Sequence, residues 1–383
     1  MGAKNGQRDP VETITTNVAE QPVVRAWRTL AAATEAPAPE RVEVLRRRNK
    51  SVVYRLPGVG HGRGDVIAKH CVRDSALAEC AVYLVLEELP VSHPEYYGYV
   101  EGEQDGFGWL FLGDAAGEPF EPEAPAQRAL ATHWLATLHT TSSGTSAAAR
   151  LADRGPTHYW QHLAEGRAAI DGMHAGREIS AAEDAILDDV RLWLDRVESR
   201  WTEIEAICRD VPWALVHGDF APRNVRVRRH GASAAALLVF DWEVAGWGMP
   251  GVDLGCVDLD LYHGLVQQRW PHLGEGALRR AACVGRLLRG GIAAVHWDAQ
   301  KYAGNPHHGL DDMLVFRQRI IDELDELGWG SGTPRSVAGA ISPRVLELPS
   351  PGAQDAPPQG FSGTPPPCLP GAGTAGMQGA REP

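Results

Sequence analysis

The chain has 383 residues, 44% of them hydrophobic, and a formal net charge of −12. That is enough apolar material for two lobes and a tail, while the acidic balance excludes nucleic acid or an anionic membrane as the main partner. The opening MGAKNGQRDP carries no apolar stretch, and no run approaches the roughly 20 apolar residues that cross a bilayer, so a cytoplasmic protein is expected. Cys71, Cys80, Cys208, Cys256, Cys283 and Cys368 show no CxxC spacing and suggest neither a zinc motif nor a disulfide framework, only buried thiols.

In chain order, Val23, Val24, Trp27, Leu30 and Ala31 have helical spacing, and the run from Ala36 to Pro39 stops it. Three strands are predicted next, Arg41 to Arg48, Ser51 to Leu56 and Asp65 to Cys71, separated by Asn49-Lys50 and by GVGHGRG at 58–64. They read as an antiparallel meander, with the glycine string as a mobile hairpin tip. Asp74 or Ser75 can cap the following helix, which ends near Pro90, and two more strands follow at Tyr96 to Val100 and Trp109 to Leu112. From about Glu121 the pattern turns helical. Leu130, Trp134, Leu135 and Leu138 share one face, and Ile186, Val190, Trp193, Val197, Trp201 and Ile204 form one longer stripe. LVHGDFAPRNVRV at 215–227 then leads into a hairpin with arms Val225 to Arg229 and Ala236 to Phe240, and apolar helices resume between Val252 and about Leu327. The residues from Ser331 onward are rich in Pro and Gly, cannot offset chain entropy by burial, and are expected to be disordered.

The polar residues of this frame carry the chemistry. Asp241 and Glu243 follow an apolar strand and project to one side by the two-residue period. With Asp219 and the amide oxygen of Asn224 they make an all-oxygen, carboxylate-rich group that suits Mg2+ rather than zinc. Magnesium held this way takes phosphate oxygens into its shell, which points to a nucleotide. Lys69, on an otherwise apolar strand, supplies positive charge, and Glu79 on the next helix can neutralise it.

Lys69, Glu79, a linker near Phe111 to Asp114, HGDxxxxN and a strand-end aspartate, in this order, resemble the protein-kinase-like fold. More narrowly, HGDFAPRN with DWE resembles the aminoglycoside phosphotransferase and choline kinase family, over about residues 40 to 330. The resemblance implies an α+β fold with a small antiparallel-sheet N-lobe at 40–113 and a larger helical C-lobe at 114–330, between an N-terminal extension (1–39) and the tail (331–383). It implies that Asp219 orients an acceptor hydroxyl and takes its proton, that Asn224 and Asp241 hold Mg2+, and that Lys69, steadied by Glu79, meets the phosphates of ATP or GTP. Lys50 and Ser51 then belong to the phosphate loop, because in this fold that loop joins the first two strands, and the backbone of Leu112 to Asp114 receives the base. His217 packs beneath the loop, Asp253 braces it, and Glu243 is metal-adjacent or structural. Arg223 departs from the His-Pro-Gly-Asn ending of many members. Its order, Ala-x-Arg-Asn, is similar to the loop of tyrosine kinases, which makes it a candidate for neutralising charge on the transferred group.

The segment from Asp241 to Pro250 is too short for a peptide platform, so a small-molecule hydroxyl is the expected acceptor. Glu183, Asp184, Asp188, Asp189, Asp311, Asp312, Asp322, Glu323, Asp325 and Glu326 could hold a cationic amino-sugar, or form solvated helix faces balanced by Arg191, Arg196, Arg317 and Arg319. Tyr159 and Trp160 are equally walls for a sugar or core residues. A choline- or homoserine-type metabolite kinase and a silent nucleotide-binding pseudokinase are the alternatives.

Overall fold

The computed structural model describes residues 11–31, 37–48, 50–103, 106–176, 179–230, 234–304 and 310–330, so the Pro/Gly-rich tail lies outside the described residues. The described residues divide into two compact units, one comprising those up to Ala76 with Glu95–Asp114, the other Leu77–Pro94 with those from Ala115 to Gly330.

The first unit is a six-stranded antiparallel sheet and a helix. Val42–Arg48 (β2), Ser51–Leu56 (β3) and Val66–Val72 (β4) lie within one residue of the predicted meander, and Tyr96–Glu101 (β5) and Phe107–Gly113 (β6) complete it. An additional short strand, Glu12–Ile14 (β1), pairs with β2, so the order is β1-β2-β3-β4-β6-β5 and Lys69 stands on the fourth strand, not the third. Three residues without periodicity gave no local sign of it. Helix Pro22–Ala31 (α1) buries Val23, Val24 and Trp27 with Val42, Leu56, Val66, Ala68 and Phe111. The glycine string between β3 and β4 makes contacts to the sheet and within itself. Val59 is buried, Gly60 N–H donates to the Gly64 carbonyl at 2.8 Å, and His61 N–H donates to Tyr97 Oη at 3.0 Å. Helix Arg73–Leu86 (α2) starts in this unit and continues into the second.

The second unit is mainly helical. Glu118–Pro119 (β7) precedes Pro125–Ser142 (α3), and Asp153–Arg154 (β8) precedes Pro156–Gly176 (α4). The long predicted stripe breaks into Ala181–Glu198 (α5) and Trp201–Arg209 (α6). Ser180 and Glu183 form a reciprocal capping box at the start of α5. Trp160 stacks edge-on against Trp201 at 5.0 Å and Tyr159 is buried, so both serve the core. After α6 come Ala214–Val216 (β9) and the hairpin Val225–His230 (β10) with Ala234–Val239 (β11); its tip at 231–233 lies outside the described residues. Gly246–Gly248 (β12) pairs antiparallel with β9 and parallel with β8. A 3-10 segment, Pro250–Cys256, then leads to Leu259–Val266 (α7), Glu275–Arg286 (α8), a π-helical turn at Leu287–Ala293, Ala294–Gly304 (α9) and Asp311–Glu326 (α10). Among the described residues no helix is long and apolar enough to cross a membrane.

The 3-10 segment is seated on α8 by glycines. A Cβ on Gly285 would lie 2.0 Å from the carbonyl carbon of Gly251, and one on Gly251 would lie 2.1 Å from the carbonyl oxygen of Ala281. Backbone cannot yield as a flexible side chain does, so Gly285→Ala should cost about 1–3 kcal/mol or more of stability. Gly264→Ala, on α7 with nothing within 4 Å of the new methyl, should gain roughly 0.5–1 kcal/mol from helix propensity. Urea unfolding midpoints of the two variants check the contrast.

Candidate active site

The loop after β9 is fixed from beneath by one carboxylate. Asp253, on the 3-10 segment and 1% exposed, accepts His217 N–H on Oδ2 at 2.7 Å and Gly218 N–H on Oδ1 at 2.9 Å. Its Oδ2 also accepts from His139 Nε2 on α3 at 3.3 Å, and His139 Nδ1 accepts from the Tyr262 hydroxyl on α7 at 2.9 Å. All five residues are buried, so each polar atom needs its partner. Burial and the nearby Asp253 hold the Tyr262 hydroxyl well above the usual phenol range, in its proton-donating form.

His217 locks the next step. Asp219 N–H donates to His217 Nδ1 at 3.1 Å, so the ring proton sits on Nε2 and is donated to the Phe240 carbonyl at 3.1 Å. The imidazole thus ties the loop to the end of the hairpin, and it lies against Trp242 with ring centroids 4.5 Å apart. Gly218 has φ +72°, and a Cβ there would meet the Val244 carbonyl oxygen at 2.9 Å, which is why a glycine stands between His217 and Asp219.

The carboxylate of Asp219 is 3% exposed and receives three donors. Arg223 Nη2 reaches Oδ2 at 2.5 Å, Asn224 Nδ2 reaches the same oxygen at 2.9 Å, and Arg289 Nη2 reaches Oδ1 at 2.5 Å. Asn224 Nδ2 also donates to the Asp219 carbonyl at 3.0 Å, which leaves its amide oxygen as the atom able to face a cation. Arg289 further donates to the Gly218 carbonyl, and its guanidinium lies 4.2 Å from the Trp297 ring centroid.

Asp241, two residues past β11, adopts φ +69°, a left-handed backbone that a non-glycine residue takes at a cost of about 1–3 kcal/mol. It brings its carboxylate together with those of Glu243 and Glu79, ligand atoms of the three lying within 4.8 Å of one another. The donor set is all oxygen and fits Mg2+. Glu79, 1% exposed on α2, thus stands in one group with Asp241 and Glu243.

The remaining expected residues lie in the first unit. Lys69 is 7% exposed on β4, in register with Val53 and Leu110. Lys50 sits in the β2–β3 turn and Ser51 opens β3 opposite Cys71. At the end of β6, Gly113 N–H donates to the Glu95 carbonyl at 2.7 Å and Asp114 N–H to the Asp65 carbonyl at 2.9 Å. The Asp114 side chain is ion-paired with Arg55 at 2.7 Å.

The profile of the Phosphotransferase enzyme family, APH, matches residues 51–291. The chain belongs to this family. No curated protein sequence matches it. Among solved structures, spectinomycin phosphotransferase in complex with ADP and spectinomycin superposes with a TM-score of 0.51 at 12% identity, over 81% of this chain and 100% of that one. The choline kinase of Cryptosporidium parvum Iowa II gives 0.52 at 9% identity over 75% and 91%. The GDP complex of wild-type aminoglycoside 2'-phosphotransferase-IIIa gives 0.51 at 13% over 80% and 100%. The fold is therefore the α+β, two-lobe protein-kinase-like one, with an antiparallel-sheet N-terminal lobe and a helical C-terminal lobe. In this family member the clamp on Asp219 includes a residue that sequence reading missed. Arg289 lies in the apolar run LLRGGIAAVHW, and a lone arginine in such a run was the available signal.

Two guanidiniums converge on Asp219, so removing that carboxylate leaves like charges facing each other in a buried place. Asp219→Ala should lose about 3–5 kcal/mol of stability, and Asp219→Asn less because it keeps one acceptor oxygen. Guanidinium chloride unfolding of the two variants checks the order.

Proposed function

We propose that this phosphotransferase moves the γ-phosphoryl group of ATP or GTP to a hydroxyl of a small molecule. The observation that carries the reading is the buried Asp219 carboxylate, held in one pose by Arg223, Asn224 and Arg289. In that pose Asp219 orients the acceptor hydroxyl and accepts its proton. Phosphoryl transfer gains most of its rate from positioning and electrostatics, so a base that does not move is the useful one. Arg223, on the Asp219 carboxylate from the solvent side with 17% of its side chain exposed, is placed to offer charge to the transferred group as well as to fix the base. Asp241, with Asn224 through its amide oxygen and with Glu243 and Glu79 alongside, would hold Mg2+, which when bound neutralises phosphate charge. Following the family, Lys69 is assigned the nucleotide phosphates, Lys50 and Ser51 the loop over them, and Leu112 to Asp114 the base.

The acceptor is the finer question. Spectinomycin phosphotransferase and choline kinase stand among the structures sharing the fold, which keeps amino-sugars and choline-like alcohols on the panel. Against a polycation, several carboxylates that could have held one have local partners. Glu183 caps α5 and accepts from Tyr302 at 2.8 Å, Asp189 pairs with Arg317, and Glu323 and Glu326 pair with Arg286 at 2.7 and 2.9 Å. Basic groups, Arg223 and Arg289, flank Asp219 instead, an arrangement that favours a neutral or acid-bearing hydroxyl compound.

The test is phosphoryl transfer from labelled ATP and GTP, with Mg2+, to amino-sugars, choline-like alcohols, hydroxy-amino acids and hydroxy acids. Transfer to at least one class is expected, reduced roughly 10²- to 10⁴-fold in Asp219→Asn. Tight Mg-ATP binding with no consumption against the whole panel would replace this reading by the pseudokinase. Asp241→Gly separates strain from chemistry. It suits the left-handed backbone, so thermal melts should show stability equal to or above the wild type, by up to about 1 kcal/mol, while transfer is lost.

A further inference from the structure

A second polar group lies within the helical unit, apart from the carboxylates around Asp241. Helix α4 presents His158, His162 and Glu165, spaced four and three residues apart so that they share one face. Helix α9 brings His296 against them, with the His162 and His296 ring centroids 4.6 Å apart. The approach depends on Gly166, where even a Cβ would stand 3.3 Å from the His296 Cα.

The partners of these rings are incomplete. His162 is 7% exposed and His296 1%. Among the described residues, His162 Nδ1 and both ring nitrogens of His296 are buried without a hydrogen-bond partner. A buried polar atom of this kind is unfavourable unless something else satisfies it. The nearest candidate, Glu165 Oε2, stops 3.6 Å from His296 Nε2, too far for a hydrogen bond. A water molecule or a cation is what the geometry calls for.

The donors choose between them. One atom each from His162, Glu165 and His296 lies within 4.8 Å of the others, and small side-chain rotations bring such a set to the spacing of about 3.4 Å that ligands take around a tetrahedral ion at about 2.0–2.2 Å. Two imidazoles and a carboxylate suit a borderline transition metal and ill suit magnesium. Burial, first of all, holds the imidazoles of His162 and His296 at about 2 and about 4, so both are neutral, the ligating form, at any physiological pH. His158 Nε2 lies 3.1 Å from His162 Nε2 and orients that ring from one turn earlier. Glu165, its side chain 43% exposed, forms the entry.

We infer that His162, Glu165 and His296 form a binding site for a transition-metal dication, with Zn2+ the ion their donors fit best. The site clasps α4 to α9 one layer behind Asp219, since His162 packs on Trp297 at 5.7 Å and Trp297 carries the Arg289 guanidinium. The metal is structural in this position and takes no part in transfer.

Full-length protein stripped with a chelator and dialysed should bind one Zn2+ by titration calorimetry and melt several degrees higher with it, whereas Mg2+ gives no comparable shift. Co2+ in place of Zn2+ should produce the visible absorption bands of a low-coordinate ion. His296→Ala should abolish both signals. Glu165→Gln, changed at a half-exposed position and thus expected to fold, should weaken Zn2+ binding tenfold or more. Absence of stoichiometric Zn2+ binding to the folded wild type, or wild-type affinity in Glu165→Gln, overturns the inference.

Discussion

Two backbone N–H groups at the start of the HGD loop, those of His217 and Gly218, end on the two oxygens of Asp253. That pair of bonds is the constraint from which the site is built. Buried peptide donors must be satisfied, and here their acceptor is a side chain anchored in turn by His139 and Tyr262, on two other helices. The loop is thereby referenced to the body of the helical unit instead of to its own neighbours. His217 passes the constraint on, through one ring, to the hairpin end from which Asp241 departs.

Charge completes what the hydrogen bonds begin. A lone buried carboxylate at Asp219 would be costly, and two guanidiniums with an amide offset that cost while fixing its direction. The arginines come from different places, Arg223 from the loop itself and Arg289 from the turn before α9, so local and distant structure agree on one orientation. The surroundings of Asp219 are consequently basic, whereas the neighbouring group of Asp241, Glu243 and Glu79 is acidic.

Legibility in the sequence followed the range of the interactions. The strands of the meander show period-2 patterns and were found within a residue, and HGDFAPRN with DWE carries its order in one stretch, enough to identify the family. Contacts made at a distance left weaker traces. β1 is recognisable only by its pairing with β2, and the α5–α6 break falls inside an unbroken apolar stripe. Arg289 reads as one charge among leucines, and the cap and ion-pair partners of Glu183, Asp189, Glu323 and Glu326 come from elements distant in the chain or from capping geometry. The convergence of Glu79 with Asp241 and Glu243 joins residues more than 160 positions apart, which no local pattern encodes.

The π-helical turn at Leu287–Ala293 gives Arg289 its direction. Such a turn accommodates one residue more than an α-helix does over the same rise, so it resembles a retained insertion with the phase of everything after it advanced by about 100°. Excising a single position there would let the helix run regularly, and the guanidinium would swing off its carboxylate although no side chain of the loop had changed. Over evolutionary time the pairing of these two residues is thus tied to chain length at one spot, and gain or loss of a codon, more than point replacement, is the event that would remodel this pocket.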